Sequence, residues 1–194
     1  PLSLGLEWLR GREGQAAMVA AMVEKELNSP VTTSCGRLFD AVGALTGLTL
    51  ETSYEGQGDI RLEHALDPAE KGAYPCPFSM GEGPGLLDTL TLFNCATRDI
   101  LSGVEASTVS ARFHNGLASG LAQAAKRLCD HLGTKQIALS GGVFLNRTMS
   151  VMLPQILGGL GLEALMHEHE PPGDGCISLG QAFYGQLRLL RGFI

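Results

Sequence analysis

The sequence predicts a helix-rich α/β lobe with a small parallel sheet. Roughly five or six segments carry apolar residues at helical spacing, whereas two segments in the C-terminal third have the composition of buried strands. These strand segments, Gln136 to Ser140 and Leu162 to His167, are separated by one helical segment. Strands joined in this way form a right-handed βαβ unit, in which they lie parallel and adjacent. We therefore expect residues 1–194 to form a single lobe that contains one βαβ unit.

The composition is that of a globular protein without a basic surface. The chain has 194 residues, 44% of them hydrophobic, and a formal net charge of −6. No basic stripe marks a nucleic-acid surface, no apolar run reaches the roughly 18 residues that span a bilayer, and the first residues do not resemble a signal peptide. The five cysteines include no C-x-x-C pair, which favours reduced thiols. We expect a cytoplasmic protein that binds neither nucleic acid directly nor a membrane.

Helical patterns dominate the N-terminal half. Glu13 to Asn28 has apolar residues at helical spacing, and Ser34 is one of three N-cap candidates for a helix from Cys35 to about Leu45. A helix N-terminus lowers the pKa of a thiol, which predicts an acidic Cys35, although no histidine near it in sequence could act as a base. Further helices are expected at Asp59 to Leu66 and Asn94 to Ser102, and Ala73 to Met80 and Leu86 to Leu92 predict either a hairpin or two irregular segments.

The C-terminal half contains the longest helical pattern. Ser110 to Leu132 has a leucine and alanine stripe and is followed by Gly133, a residue typical of helix C-termini. A second amphipathic helix is expected after the first strand, from about Leu145 to Ile156. The last helix is expected from about Cys176 to Leu190.

The glycine pair Gly141-Gly142 follows the first strand directly. Glycine lets a backbone approach a ligand where a Cβ would collide, and N–H groups at a helix N-terminus attract anions. The layout therefore suits a nucleotide phosphate, and it also suits an ordinary tight turn between a strand and a helix.

Asp174 follows the second strand, after Pro171-Pro172-Gly173. Since ligands of open α/β sheets gather at the carboxyl ends of the strands, Asp174 and the glycine pair are expected to converge on one crevice. The carboxylate has two explanations, an N-cap for the last helix or a contact to a metal or a phosphate-bound magnesium. His167, His169 and Asp174 contain ligand-type groups, but a self-contained zinc site is not expected. His114 is more consistent with a buried structural histidine than with a general base.

Five motifs together resemble a known family. They are SCGRLFDAVGALTGL at Ser34 to Leu48, SYEGQ at Ser53 to Gln57, ARFHN at Ala111 to Asn115, SGGVFLN at Ser140 to Asn146 and PPGDGCISLGQA at Pro171 to Ala182. In this order they resemble the HypF family of carbamoyltransferases, which act in nickel-iron hydrogenase maturation. The resemblance runs from about Gly11 to Tyr184 and concerns the C-terminal part of the domain that this family shares with the tRNA threonylcarbamoyl transferases.

The resemblance implies a fold, an activity and partners. The fold is the C-terminal lobe of an actin/hexokinase-like (ASKHA, ribonuclease H-like) ATPase. The activity is the ATP-dependent conversion of carbamoyl phosphate to carbamoyl-adenylate, followed by carbamoyl transfer to the C-terminal cysteine of the partner HypE. That carbamoyl group becomes the cyanide ligand of the hydrogenase iron.

The resemblance also implies site residues. The family's nucleotide-contacting positions correspond to Gly36, Asp40, Gly141, Gly142 and Asn146, and its metal-binding aspartate corresponds to Asp174. Arg37 replaces a glutamate that is expected near the ribose. The resemblance implies that the other ligands of the divalent metal (iron, zinc or magnesium) are a histidine pair in a preceding lobe, and no matching H-x-x-x-H pair occurs in this sequence. Metal binding by this chain alone is therefore expected to be weak.

Three functional hypotheses remain open from the sequence. The chain is part of an ATP-dependent carbamoyltransferase, an inactive structural or partner-binding lobe when alone, or a lobe of a tRNA threonylcarbamoyl transferase. The first two are compatible, because the N-terminal part of the enzyme would supply the rest of the active site. The motif spellings GRLFDAV and SYEGQ and the acidic net charge disfavour the third.

Overall fold

Helices dominate the part of the chain that the computed structural model describes, residues 6–81 and 83–192. The helices are α1 (Glu13–Glu24), α2 (Cys35–Leu45), α3 (Gln57–Ala65), α4 (Thr89–Leu101), α5 (Ala106–Leu132), α6 (Arg147–Gly159) and α7 (Ile177–Leu190). The strands are β1 (Phe78–Ser79), β2 (Leu86–Leu87), β3 (Gln136–Ala138) and β4 (Glu163–Leu165).

The chain divides into two compact units. Unit 1 comprises Pro1–Tyr74 and Thr89–Phe113, and unit 2 comprises Pro75–Asp88 and His114–Ile194. Unit 1 contains α1 to α4 with the first residues of α5, and unit 2 contains both small sheets, the remainder of α5, α6 and α7. The single-lobe organisation of residues 1–194 stays a prediction.

The core of unit 1 is helical and is centred on α2. Phe39 lies on the apolar face of α2 and is fully buried, and its ring meets Phe113 edge-on with 4.9 Å between the ring centroids. Leu62 of α3 and Leu92 of α4 are also fully buried. Since removal of a buried aromatic side chain typically costs about 3–5 kcal/mol, the Phe39 ring is a principal source of stability in this unit.

Unit 2 contains the predicted βαβ unit. Strands β3 and β4 pair in parallel, with Ile137 opposite Ala164, and α6 connects them. Behind them α5 and α6 contribute to one apolar cluster, whose buried members are Ala122, Ala125, Cys129, Leu139, Leu153, Leu157 and Leu162. Both predicted strands and their parallel pairing are thereby confirmed.

The second sheet is the hairpin that the sequence offered as one of two alternatives. Strands β1 and β2 are antiparallel, with Phe78 opposite Leu87. A Cβ on Gly85 would overlap the Phe78 ring, which explains a glycine at that position. The Arg127 side chain of α5 donates a hydrogen bond to the Phe78 carbonyl over 2.8 Å, so the hairpin is tied to the long helix.

Several element boundaries differ from the prediction for local reasons. Helix α1 ends at Glu24 instead of Asn28, because Glu26 and Asn28 have left-handed backbones, with φ of 53° and 51°. Helix α4 begins at Thr89, so β2 is only two residues long and the strand predicted through Leu92 is wrong beyond it. Within the described residues, no helix combines the length and the apolarity needed to cross a bilayer.

Candidate functional site

The glycine pair forms an irregular turn at the end of β3. Gly141 has φ 106° and ψ 161°, a conformation that side-chain-bearing residues rarely adopt, and its N–H donates to the Pro172 carbonyl over 2.7 Å. Gly142 is exposed, and a Cβ built on it would meet no atom within 4 Å. The fold therefore requires a glycine at position 141, but packing within the chain does not require one at position 142.

The segment that follows β4 lies directly against this turn. A Cβ built on Gly173 would lie 3.4 Å from the Gly142 Cα. The Ser140 hydroxyl donates to the Pro172 carbonyl over 3.3 Å, and it lies 3.0 Å from the His167 Nε2 atom. The carboxyl ends of both parallel strands thus meet, as the βαβ topology predicts.

Asp174 does not cap the last helix, so that explanation of the residue is wrong. It is the first residue of a 3-10 turn, Asp174–Cys176, and α7 starts only at Ile177 with Cys176 at its N-cap position. Neither the turn nor α7 has a side-chain cap. The Asp174 side chain is exposed, and within residues 6–81 and 83–192 no hydrogen bond or ion pair engages its carboxylate.

Asn146 closes the glycine turn from inside the protein. It is only 2% exposed and is the N-cap of α6, where its Oδ1 atom accepts a hydrogen bond from the Met149 N–H over 2.9 Å. Its Nδ2 atom lies 3.2 Å from Nε2 of His114, which is fully buried on α5. His114 is therefore a buried, hydrogen-bonded histidine, which confirms the structural alternative.

The two remaining predicted site residues belong to unit 1. Gly36 is exposed in the first turn of α2, and Asp40 is half-buried one turn later. Arg37 reaches the Asp40 carboxylate over 2.9 Å, and a Cβ on Gly58 would lie 2.8 Å from an oxygen of the same carboxylate. Ion pairs at the protein surface contribute about 0–1 kcal/mol to stability, so the Asp40 carboxylate could leave Arg37 for another hydrogen-bond donor at little cost.

Cys35 departs from the sequence prediction. Burial, with a smaller contribution from the nearby Asp59 carboxylate, raises the pKa of the Cys35 thiol to about 11. Loss of hydration outweighs the favourable effect of the helix N-terminus, because burial penalises the charged thiolate. The prediction of an acidic thiol is wrong, and Cys35 is not an activated nucleophile.

A polar cleft of about 510 Å³ lies within unit 1. Arg112, from the ARFHN motif, bridges Asp99 over 2.8 Å and Glu70 over 3.1 Å, and the Tyr74 hydroxyl donates to Asp99 over 2.7 Å. Burial, and then the hydrogen bond to Asp99, raise the pKa of the Tyr74 phenol. Since these charges satisfy one another, Arg112 is explained as a structural bridge.

A complete metal site is absent from the described residues. Among them, no group of three or more histidine, cysteine, aspartate or glutamate side chains is placed to hold a metal ion. Asp174 can supply one carboxylate ligand, whereas stable sites for magnesium, iron or zinc need several ligands. The described residues at this turn therefore supply at most one ligand of a metal site.

Two features of this region have no counterpart in the sequence prediction. The Pro172 carbonyl, which fixes the Gly141 N–H, is a backbone group, so no residue type marks it. The pairing of His114 with Asn146 joins residues 32 positions apart. An asparagine immediately before a helical pattern is, however, a recognised N-cap signal, and it could have located the capping role of Asn146.

The family described as "Carbamoyltransferase, Kae1-like Domain, second subdomain" matches residues 3–181 of the chain. Similar relatives include carbamoyltransferase HypF of Rhizobium leguminosarum bv. viciae, 37% identical over 172 residues, and a probable carbamoyltransferase HypF of Methanocaldococcus jannaschii, 30% identical over 169 residues. Each match covers 87% of this chain, but it covers only 21% and 22% of the two relatives. The chain thus spans about a fifth of the length of these proteins.

Two solved structures of HypF proteins share this fold. Full-length HypF in a phosphate- and nucleotide-bound form superposes with a TM-score of 0.81 at 30% identity, covering 87% of this chain and 22% of that one. HypF from T. kodakarensis superposes with a TM-score of 0.75 at 28% identity, covering 95% of this chain and 24% of that one. The expected ASKHA-type fold is confirmed by these likenesses. The chain belongs to the family formed by the second subdomain of the Kae1-like domain of HypF carbamoyltransferases.

Proposed function

We propose that this chain is the nucleotide-holding subdomain of an ATP-dependent carbamoyltransferase. The complete protein would convert carbamoyl phosphate and ATP to carbamoyl-adenylate in the cytoplasm. It would then pass the carbamoyl group to the C-terminal cysteine of HypE for cyanide synthesis in hydrogenase maturation. The observation that carries the proposal is the open Gly142 backbone beside Pro172 and Gly173, where two parallel strands end. The nucleotide-bound form of a relative with the same fold supports it.

Each predicted site residue has a separate role in this proposal. The Gly141 and Gly142 backbone approaches the ATP phosphates, because no side chain stands between it and solvent. Asn146, which the resemblance places among the nucleotide-contacting positions, is only 2% exposed, so in this proposal it supports the turn from behind instead of touching the nucleotide. The resemblance assigns Gly36 and Asp40 of unit 1 to nucleotide binding as well, with Arg37 at the position where the tRNA threonylcarbamoyl transferases have glutamate.

Asp174 would supply one ligand to a divalent cation. Its carboxylate is exposed, follows the strand end and is a hard oxygen donor, which suits magnesium, iron or zinc bound to a phosphate oxygen. A cation there would neutralise phosphate charge. The remaining ligands would come from the part of the enzyme outside this chain.

The chain's share of the chemistry is positioning. A glycine turn and one carboxylate can orient a triphosphate, but a second phosphate compound such as carbamoyl phosphate usually needs bidentate arginine donors. Neither Gly141-Gly142 nor Pro172–Asp174 presents an arginine. Since the two reactants must be held about 3.5 Å apart and in line, the N-terminal part of the enzyme would have to provide the carbamoyl phosphate pocket.

The test uses a complete enzyme, meaning Rhizobium leguminosarum HypF with this chain in place of its matching segment. Carbamoyl-phosphate-dependent conversion of ATP to AMP and pyrophosphate is measured. Asp174→Ala should lower the rate by about 10²-fold or more, because the cation that holds the nucleotide phosphates in position loses a carboxylate ligand. Asp130→Ala, which removes another exposed carboxylate, is the matched control and should stay within about twofold. Equal rates for both variants would contradict the role given to Asp174.

The isolated chain should be inactive in the same assay. It spans about a fifth of the length of the Rhizobium and Methanocaldococcus relatives. It supplies one carboxylate and a glycine turn, which do not enclose an active site. The family model that matches describes a carbamoyltransferase domain, which favours carbamoyl transfer over the tRNA threonylcarbamoyl transferase alternative. Turnover by the isolated chain at the rate of the complete enzyme would require a full active site within these residues.

A further inference from the structure

A buried polar pair lies behind the glycine turn in unit 2. We propose that His114 is a positioning residue for nucleotide binding, which acts through Asn146 on the turn Gly141–Leu145. The inference rests on the proposed function and adds to it a residue on α5 that does not itself touch the nucleotide. The position of the pair, its hydrogen-bond polarity and the way the turn is fixed each support it.

The polarity of the pair follows from the capping bond. The Met149 N–H can only donate, so the atom of Asn146 that faces it over 2.9 Å must be the carbonyl oxygen. The amide nitrogen is then the atom that lies 3.2 Å from His114 Nε2. Since an amide nitrogen only donates, Nε2 must accept, and His114 must be the neutral tautomer with its proton on Nδ1.

The turn is fixed at both of its ends. At the start, the Gly141 N–H donates to the Pro172 carbonyl over 2.7 Å. Within the turn, the N–H of Phe144 donates to the Gly141 carbonyl over 3.0 Å, and the N–H of Asn146 donates to the Val143 carbonyl over 3.1 Å. The exposed Gly142 lies between these anchors, so a shift of Asn146 is transmitted to it through two backbone hydrogen bonds.

Helix capping alone does not explain an asparagine at this position. Serine, threonine and aspartate also accept the capping hydrogen bond, and they do so with similar effect. None of them offers a nitrogen donor to a neutral imidazole acceptor. The amide presents its acceptor and its donor on two separate atoms, so it can serve the Met149 N–H and His114 at the same time, and the second contact attaches the end of the turn to α5. A buried acceptor that loses its donor is costly, so the pair holds one geometry.

The hydrogen bond can be tested by a conservative replacement. In the complete enzyme, His114→Gln places an amide oxygen near the position of Nε2, where it can still accept from Asn146, whereas His114→Leu cannot. We expect His114→Leu to raise the KM for ATP by about tenfold, a change equivalent to one lost hydrogen bond. His114→Gln should stay within about threefold of the unsubstituted enzyme. The KM for carbamoyl phosphate should not change in either variant.

A purely structural role predicts a different kinetic pattern. Partial unfolding lowers the active fraction, so it lowers the apparent kcat and leaves the KM for ATP unchanged. Cys129→Ala is the matched control, because Cys129 is also buried on α5 but lies about 22 Å further along the helix. It should lower stability without changing the KM for ATP. If His114→Leu behaves like Cys129→Ala, or if His114→Gln fails to restore the KM, the positioning role is wrong.

A second measurement is independent of the proposed function. In the isolated chain, nitrogen-15 NMR of the His114 imidazole should show the tautomer protonated on Nδ1, and a tautomer protonated on Nε2 or a cationic ring would overturn the inference. Should His114→Leu not fold, Asn146→Ser, which keeps the cap and removes the amide donor, must raise the KM for ATP instead. If the complete enzyme binds no ATP but the tautomer is as expected, the proposed function fails and the contact stands as a purely structural one.

Discussion

Gly141 and Gly142 are adjacent, yet the fold explains only the first. Gly141 has a positive φ of 106°, which a Cβ would strain, whereas Gly142 has open space around its missing side chain. Gly158, Gly159 and Gly185 have the same open space, so at Gly142 it permits a ligand to approach the backbone but does not by itself require one. A substitution at Gly142 therefore tests the proposed nucleotide site without a clash inside the chain.

Cys35 shows how burial overrides position at the residue scale. Its pKa is raised to about 11 from an ordinary value of 9.0. Because the thiolate is the reactive species, iodoacetamide should label Cys35 slowly at pH 8 to 9, with the rate rising toward a midpoint near pH 11. Peptide mass spectrometry after timed labelling measures this rate, with N-acetylcysteine as the reference thiol. Labelling of Cys35 as fast as the reference at pH 8 would contradict the burial.

At the scale of elements, α5 contains Gly120 at an interior position where alanine would normally stabilise a helix. Alanine is about 1 kcal/mol better than glycine inside a helix. A Cβ on Gly120, however, would lie 2.8 Å from the Cys76 Cβ and 3.0 Å from its Sγ, which is closer than atoms pack. Gly185 of α7 has no atom within 4 Å of such a Cβ.

The two glycines should therefore respond to alanine with opposite signs. Gly120→Ala should lower the free energy of unfolding by about 1–3 kcal/mol through overpacking, and Gly185→Ala should leave it unchanged or raise it by up to about 1 kcal/mol. Urea denaturation of the isolated chain, followed by circular dichroism, gives both values. A Gly120→Ala variant as stable as Gly185→Ala would contradict the close contact between Gly120 and Cys76.

Periodicity and turn residues were sufficient to predict most elements, because their causes are local. The stripe of Leu117, Leu121 and Leu128, ended by Gly133, predicts a helix that the structure confirms through Leu132. The helix end at Asn28 and the N-cap role of Asp174 were wrong for a different reason. A left-handed backbone at Asn28 and a 3-10 turn at Asp174 depend on a few φ and ψ values that several residue types can adopt.

At the scale of the whole molecule, the candidate site was predictable where topology determines it. Parallel strands joined by a helix end at the same edge, so the approach of Gly141-Gly142 to Gly173 follows from the order of elements. The pairing of His114 with Asn146 was not predictable, since contacts between distant residues depend on how α5 packs behind the turn. The five sequence motifs resemble HypF, and the family match confirms that resemblance.

The most direct test of nucleotide binding at this turn is calorimetric titration of ATP into the complete enzyme with and without Gly142→Val. The valine has room in the chain itself, so the melting temperature should not change, whereas its branched side chain would stand where the phosphates must approach. We expect ATP affinity to fall by about tenfold or more. Unchanged ATP affinity in a variant that folds normally would contradict nucleotide binding at Gly141-Gly142.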